Sequence, residues 1–492
     1  MQARKKQRIL ERKNLLEHQQ KKQKMLFFLN TALKKIQTIH AVKNYGIFLN
    51  KIFGDFLKIL KLKKVTWKEN ANTATLVLKD GINEKIDIIG SGSFGSCGVL
   101  TKDSQIFAGC AVKKTSLFNA LCTKEEAFKN WVIENIILFF VSKQYEFATH
   151  NVEKNFPFAA LQHPFSNLLW LGYNSKTSSC LSGLFLYKTL HDTNGALENP
   201  GVILLQVAAV LDYVNGLENV EFMHRDLHFN NLMIFESWNA EKDVSFALDK
   251  DNFLVQDSRS PLATQTLTMK KNNGANVFYK IIDFGFAFLN INDDDGNSSG
   301  GTVPKQNVPL CTNNNIYNKH DFNDQHDLRT LIVSFYDAYC VDFCVKTKKY
   351  VLDFDPKFKI IVDFVEIASR HSERFKMVTD VQCLTEIQSY VLTLKRNKEF
   401  QKTHALIDFK QHVKRIANLL GPASSLQHTE IRLKSLYDNM LPQMVYWGAF
   451  RYKITHFFYN FMVSHTLTPL FVPKNVFNFV IHNDQNLKNY SV

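Results

Sequence analysis

The run MHRDLHFNNLMIF at 223–235 places a carboxylate, Asp226, and a side-chain amide, Asn231, five residues apart on one short loop ahead of a strand-like segment. A carboxylate so placed can orient a hydroxyl and accept its proton, and an amide oxygen beside it is a hard ligand for Mg²⁺. Asn230 lies one residue off that spacing and reads as structural. A second carboxylate, Asp283, ends the apolar run of YKIIDFGFAF at 279–288, where it can chelate Mg²⁺ between the β- and γ-phosphates of a nucleotide. Together these residue types suit transfer of a phosphoryl group.

The phosphates themselves need donors. Gly90, Ser91, Gly92, Ser93, Phe94 and Gly95 form GSGSFG between two strand-like runs, and glycines there let backbone amides reach phosphate oxygens without a Cβ in the way. A dinucleotide-binding turn would have a helix after the loop, and a P-loop would have Gly-Lys-Ser/Thr. Phe94 at the tip would shield phosphates from water. Taken alone, the pattern is equally that of a glycine-rich hairpin. Eighteen residues after Gly95 comes Lys113 in GCAVK, and strand alternation puts Ala111 and Lys113 on one face. A small Ala admits a flat adenine ring, and an ammonium on that face reaches the α- and β-phosphates. The bland alternative is a surface lysine beside Lys114. In the helical pattern that follows, Glu134 is best placed to hold Lys113 in an ion pair, with Glu125 and Glu126 as competitors.

The elements that must position these residues follow from periodicity. From about Val65, ATLVL at 74–78, KIDII at 85–89, CGVL at 97–100 and GCAVK at 109–113 predict an antiparallel sheet, with LFLY at 184–187 as a further strand. Helical patterns cover Lys124 to Val141 and residues 202–214, and the chain beyond the motifs is mainly helical. Strands first and helices afterwards predict an α+β protein, a small β-rich lobe followed by a larger, mainly helical one. Apolar residues at helical spacing from Met25 to Leu62 predict one or two amphipathic helices packed on the domain that follows. The expected organisation is a basic helical extension over 1–64, a small lobe and hinge over 65–190, a large lobe over 191–400 with an insert at 236–276, and a helical C-terminal part over 401–492. The polar stretches Glu236–Asn276 and Asn290–Gln325 predict surface loops.

Composition narrows the class further. The chain is 45% hydrophobic and 22% charged over 492 residues, a globular balance that excludes a wholly disordered protein. Lys and Arg outnumber Asp and Glu by 60 to 46, and Arg4, Lys5, Lys6 and Arg8 cluster near the start, so nucleic acid or another polyanion is a physically favoured partner of the N-terminal region. A solvated tail is the alternative. No apolar stretch approaches the roughly 18 residues of a membrane-spanning helix, and no secretory signal is expected. The eight cysteines are scattered without metal spacing and read as reduced thiols; Cys340 and Cys344 are expected to share a helix face.

With the glycine loop, the Ala-x-Lys strand, the helix Glu, HRDxxxxN and DFG in this order, the chain resembles the eukaryotic-type protein kinase superfamily over roughly Lys85 to Tyr339. The resemblance implies a bilobal kinase-like fold, ATP and Mg²⁺ as cofactors, and Lys113, Glu134, Asp226 and Arg225 as catalytic residues. It also implies that Asn231 and Asp283 hold the metal, and that Arg225 meets a phosphate on the activation segment, with Ser298, Ser299 and Thr302 as candidate acceptors and Asp293 to Asp295 as a charge substitute. Asp327 in HDLRTLI resembles the family's buried aspartate that holds the catalytic loop; an exposed helix-start Asp is the other reading.

The departures are informative. Cys97 stands where the family has valine, His228 stands where Ser/Thr kinases have lysine, and no APE triplet follows DFG. HRDLHxxN is similar to haspin-type kinases and to HGDLHxxN small-molecule phosphotransferases, while the eroded motifs with intact phosphate residues resemble the divergent Ser/Thr kinases of large DNA viruses of arthropods. The expectation is therefore a Mg-dependent kinase acting on Ser/Thr hydroxyls of viral or host proteins, in the cytoplasm or nucleus of an infected cell or in the virion. The alternatives are a small-molecule phosphotransferase, or a pseudokinase scaffold with a basic nucleic-acid-binding tail.

Overall fold

The computed structural model describes residues 24–25, 27–38, 44–68, 71–92, 95–101, 110–117, 123–151, 165, 168–174, 179–184, 188–189, 200–216, 220–237, 244–247, 266–269, 276–291, 310–311, 322–396, 404–421, 425–431, 433 and 469–484, with residues 6, 13, 16 and 20. The architecture is α+β. The chain divides into two compact units that do not follow its linear order. The first takes in 1–194, 213–226 and 231–322, and the second 195–212, 227–230 and 323–492. Among the described residues no helix is long and apolar enough to cross a membrane.

The first unit is built on seven strands: β1 (Lys58–Lys68), β2 (Thr73–Leu78), β3 (Asn83–Gly92), β4 (Gly95–Leu100), β5 (Ala111–Ser116), β6 (Leu168–Asn174) and β7 (Ser179–Leu184). The hairpins pair antiparallel, as the alternating sequence predicts. The sheet does not stay open, however: it closes in the order β1-β2-β3-β4-β5-β7-β6 through a parallel pairing of β1 with β6, Lys58 opposite Trp170 and Lys61 opposite Tyr173. Closure leaves one interior, filled by Leu60, Leu62, Ala74, Leu76, Ile86, Val112, Trp170 and Leu181. Burying this set against itself is the hydrophobic term that fixes the register, since a one-residue slip would send every one of them outward.

The helical extension expected up to residue 64 ends earlier. Residues 27–37 are helical and α1 (Tyr45–Phe53) follows, capped by the Asn44 side chain on the amides of Gly46 and Ile47. β1 then starts at Lys58. Within it Leu60 and Leu62 are buried while Lys61 and Lys63 are exposed, so the local period is two and not 3.6. The long helix α2 (Lys124–Asn151) lies where the pattern placed it and runs on past Val141. α3 (Pro200–Asn215) leads to β9 (Val220–Met223).

Beyond β9 the first unit adds small sheets. β8 (Lys188–Thr189), β10 (Leu232–Ser237) and β13 (Asn276–Ile281) form one, and β9, β14 (Phe288–Ile291) and β15 (Leu310–Cys311) another. Two further corrections arise here and in the second unit. The stretch expected as a loop over 236–276 contains a hairpin, β11 (Val244–Ala247) with β12 (Thr266–Met269), formed from the β-prone runs VSFA and TLTM. Cys340 and Cys344 do not share a helix: α4 (His326–Tyr339) stops just before Cys340, and Cys344 ends β16 (Val341–Cys344), which pairs with β17 (Lys349–Leu352). The rest of the second unit is helical, with α5 (Lys359–His371), α6 (Glu373–Thr379), α7 (Val381–Arg396), α8 (His404–Leu420) and α9 (Pro473–Asn483). Its aromatic contacts include Tyr339 stacked on Phe358 at 4.8 Å, and the Tyr336 hydroxyl donates to the Thr379 carbonyl at 3.0 Å.

One glycine in the barrel is there for space. A Cβ on Gly98 would stand 2.7 Å from the Asp87 carbonyl oxygen and run into the Ile86 side chain. Gly98→Ala is expected to destabilise the chain by about 1–3 kcal/mol, the usual cost of overpacking. Urea unfolding followed by tryptophan fluorescence measures it, and an unchanged midpoint would contradict this packing.

Candidate functional site

The register of the barrel brings the first group together. Gly90 on β3 lies opposite Cys97 on β4, Cys97 opposite Lys113 on β5, and Lys113 opposite Ser182 on β7. Paired residues project to the same side of a sheet, and because Val112 points into the barrel core, Lys113 points out of it. Ala111, two residues before Lys113, is half-buried on that same outer face. Ser91 and Gly92 complete β3 and Gly92 pairs with Gly95, which makes GSGSFG the tip of a β-hairpin. Ser93 and Phe94 lie outside the described residues. The glycines differ in what they do: nothing stands within 4 Å of where a Cβ on Gly90 would be, whereas one on Gly95 would collide with the Lys114 carbonyl. Gly95 is thus demanded by the hairpin's own packing, and Gly90 is where the backbone is open to a ligand.

α2 supplies the carboxylate for Lys113. Its first turn is fixed by a capping box: the Thr123 hydroxyl accepts from the Glu126 amide at 3.2 Å, and the Glu126 carboxylate accepts from the Thr123 amide at 2.8 Å. That places Glu126 at the helix start; Glu125 is exposed. Glu134 lies 2.6 Å from the Lys113 ammonium. A buried triad sets α2 against the sheet at this level: Trp131 Nε1 donates to the Ser182 hydroxyl at 3.1 Å, and that hydroxyl donates to Asn135 Oδ1 at 2.9 Å. Neither Ser182 nor Asn135 stood out in the sequence. The available signal was a polar residue inside an apolar run, Asn135 in VIENIILFF and Ser182 in CLSGLFL, because buried polar groups take hydrogen bonds.

Lys113 has a second partner, 170 residues away in sequence. Its ammonium donates to Asp283 Oδ1 at 2.7 Å. Asp283 follows β13 and is held by backbone: the Ile282 amide donates to the Asn231 carbonyl at 3.0 Å, and His224 Nε2, when protonated, donates to the Ile282 carbonyl at 2.8 Å. Phe284 is buried against Phe165, Phe222 and the edge of His224, with ring centroids 5.8, 6.0 and 5.1 Å apart. Asp226 and Asn231 are joined directly, since Asn231 Nδ2 donates to the Asp226 carbonyl at 2.7 Å and to its carboxylate at 3.3 Å. The amide nitrogen is the donor in both bonds, and an amide oxygen is the end that can ligate a cation. Arg225 is buried, its guanidinium 4.9 Å from the Phe288 ring. Asp283 and Arg225 both take left-handed backbone conformations, φ 63° and 67°, which cost non-glycine residues on the order of 1 kcal/mol or more and persist where surrounding contacts enforce them.

The electrostatics follow from one cation between two anions. Burial alone would lower the Lys113 pKa, but Asp283 and Glu134 together outweigh it and hold the ammonium well above the ordinary lysine range. Loss of water around the Asp283 carboxylate, whose side chain stays 44% exposed, would raise its pKa; Lys113 reverses this and keeps it below the usual carboxylate range, with Asp226 pushing the other way. Glu134 has the same cation, yet burial dominates and raises it. Asp226 and Asp283 therefore repel one another across a site in which carboxylates outnumber the ammonium. A divalent cation would offset that excess of negative charge. Among the described residues no set of three or more His, Cys, Asp and Glu side chains is grouped to hold a metal by itself. Asp283 and Asn231 fit a hard cation that takes its remaining oxygens from phosphate or water, which is the habit of Mg²⁺. Cys97 borders this site; the residue is exposed as a whole, but its thiol is enclosed by its surroundings, and that burial raises its pKa against the pull of Lys113.

Several sequence candidates are differently placed. Asp327 is buried, 3% exposed, near the start of α4, so the exposed reading of it falls. Ser298, Ser299, Thr302, Asp293 to Asp295, Cys122 and the aromatic run at 450–461 lie outside the described residues. No protein-family model matches the chain, and no curated protein sequence matches it.

A pKa raised on folding contributes stability that is fully present below the unfolded lysine value of about 10.4 and is lost as pH rises through the folded value. NMR titration of the Lys113 ε-carbon is expected to show no deprotonation until above that value. A midpoint at or below it would contradict the two-carboxylate clamp.

Proposed function

We propose that the chain is a Mg-ATP-dependent protein kinase that phosphorylates Ser or Thr hydroxyls. The observation that carries this reading is the Lys113 ammonium held at 2.6 and 2.7 Å between Glu134 of α2 and Asp283 of the loop after β13. A lysine so clamped has a fixed position and a full charge, which is what binding two phosphates requires. In this reading the barrel with α2 is the small lobe of a kinase-like fold and the helical unit is the core of the large one.

Roles for the chain's own groups follow. Gly90, where the backbone is open, would with Gly92 present amides to phosphate oxygens, Ala111 and Cys97 line the space for the base, and Lys113 neutralises charge on the α- and β-phosphates. Asp283 and Asn231 would hold Mg²⁺, which when bound offsets charge on the β- and γ-phosphates. Asp226 orients the acceptor hydroxyl and takes its proton as the oxygen attacks, while the Asn231 amide at 2.7 Å fixes the backbone on which that carboxylate sits. His224 and Arg225 position the loop and do not touch the reacting atoms. Most of the rate then comes from orientation and charge neutralisation, because a loose phosphoryl transition state needs little covalent help.

Transfer of labelled γ-phosphate from Mg-ATP to the chain itself, casein, histone and myelin basic protein tests the reading. Asp226→Asn and Lys113→Met are each expected to lower transfer at least about 100-fold, and the wild-type product should contain phosphoserine or phosphothreonine. Transfer that survives both substitutions, or product confined to small hydroxyl compounds, would overturn it.

A further inference from the structure

α2 carries Glu134, yet the aromatic residues that pack along its outer side come from the N-terminal segment and not from the barrel. Phe128 and Phe139 lie 6 residues before and 5 residues after Glu134, so they sit about three turns apart on one face of the helix. Tyr45 stacks on Phe128 with centroids 3.8 Å apart and planes at 9°, and Phe48 meets the same ring at 5.9 Å. Phe139 is met by Phe28 at 5.1 Å, Phe56 at 5.4 Å and Phe53 at 6.2 Å. Lys124 lies over the Tyr45 ring, 5.7 Å from its centroid.

This segment is itself tied down. Phe28 packs on Phe53 and Phe56, and the Lys35 ammonium donates to the Lys51 carbonyl at 2.6 Å, joining the helical residues 27–37 to the end of α1. α1 approaches β6 so closely that a Cβ on Gly46 would collide with the Tyr173 ring. The N-terminal residues therefore bridge the barrel wall and both ends of the α2 stretch that holds Glu134.

We propose that residues 27–38 and 44–57 are a built-in clamp on α2, and that Phe28, Tyr45, Phe48 and Phe53 are positioning residues that keep Glu134 within ion-pair distance of Lys113. The inference deepens the kinase reading by assigning where control of the same site would act. The geometry gives the direction: loosening the clamp lets α2 move outward, parts Glu134 from Lys113, and leaves a buried ammonium with one carboxylate in place of two.

The test uses the full-length chain and reads the ion pair directly. Acetic anhydride is added to wild type, Phe28→Ala/Phe53→Ala, Phe28→Leu/Phe53→Leu and Tyr45→Ala, and acetylation of Lys113 is quantified by mass spectrometry against Lys114 on the same strand. Phosphate transfer is measured in parallel. Lys113 should be protected in wild type and acetylated measurably faster in the alanine variants, because parting from Glu134, now 2.6 Å away, uncovers its amine to the reagent. Lys114 should be unaffected, and the leucine pair should restore protection. Tyr45→Ala removes a half-buried ring and keeps the test available if the double alanine variant does not fold. Lys113 protected as in wild type in a folded alanine variant, or Lys113 and Lys114 labelled faster together, would overturn the clamp. A chain that transfers no phosphate but shows the selective rise at Lys113 would retain the clamp and lose the kinase reading.

Discussion

A single ammonium, Lys113, joins three parts of the chain that share no local sequence: a barrel strand, a helix and a loop 170 residues downstream. It is mostly buried, so its charge is tolerable only while both carboxylates stay in place. Much of the surrounding structure meets that requirement. The capping box and the Trp131–Ser182–Asn135 triad fix α2 along and against the sheet, and the bonds that the Ile282 backbone makes with the Asn231 carbonyl and the His224 ring fix the loop that presents Asp283. Removing either support leaves a charge that burial penalises, and the two halves of the site are therefore energetically dependent on each other.

The strain at Arg225 and Asp283 belongs to the same account. Left-handed backbone at a non-glycine residue is unfavourable by itself, and here it is held by a buried aromatic group on each side, Phe288 under Arg225 and Phe284 after Asp283. Packing free energy distributed over Phe165, Phe222, Phe284 and Phe288 is what keeps two carboxylates, Asp226 and Asp283, near enough to repel. Their mutual repulsion is what a bound cation would relieve in the proposed reading.

The site was more legible than the fold around it. Lys113, Glu134, Asp226, Asn231 and Asp283 are individually polar residues in characteristic local settings, and strand alternation was enough to put Ala111 and Lys113 on one face. Barrel closure was not legible, because the parallel pairing of β1 with β6 joins segments about 110 residues apart and depends on no local pattern. The helix expected through Leu62 failed for a different reason: KILKLKK satisfies a loose helical spacing and a strict two-residue alternation at once, and burial of Leu60 and Leu62 inside the barrel selects the second. The aromatic content that reads merely as core in composition turns out to be organised, with Phe28, Phe53 and Phe56 gathered on one helix residue, Phe139.

In the proposed reading the Lys113 clamp and the Asp283–Asn231 pair form one site for a nucleotide together with its metal. Calorimetric binding of a non-hydrolysable ATP analogue with and without Mg²⁺, in wild type and in Asp283→Asn, tests this. Mg²⁺ should tighten nucleotide binding in the wild type, and this coupling should disappear in the variant. Equal affinity with and without Mg²⁺ in the wild type, or no nucleotide binding at all, would contradict it.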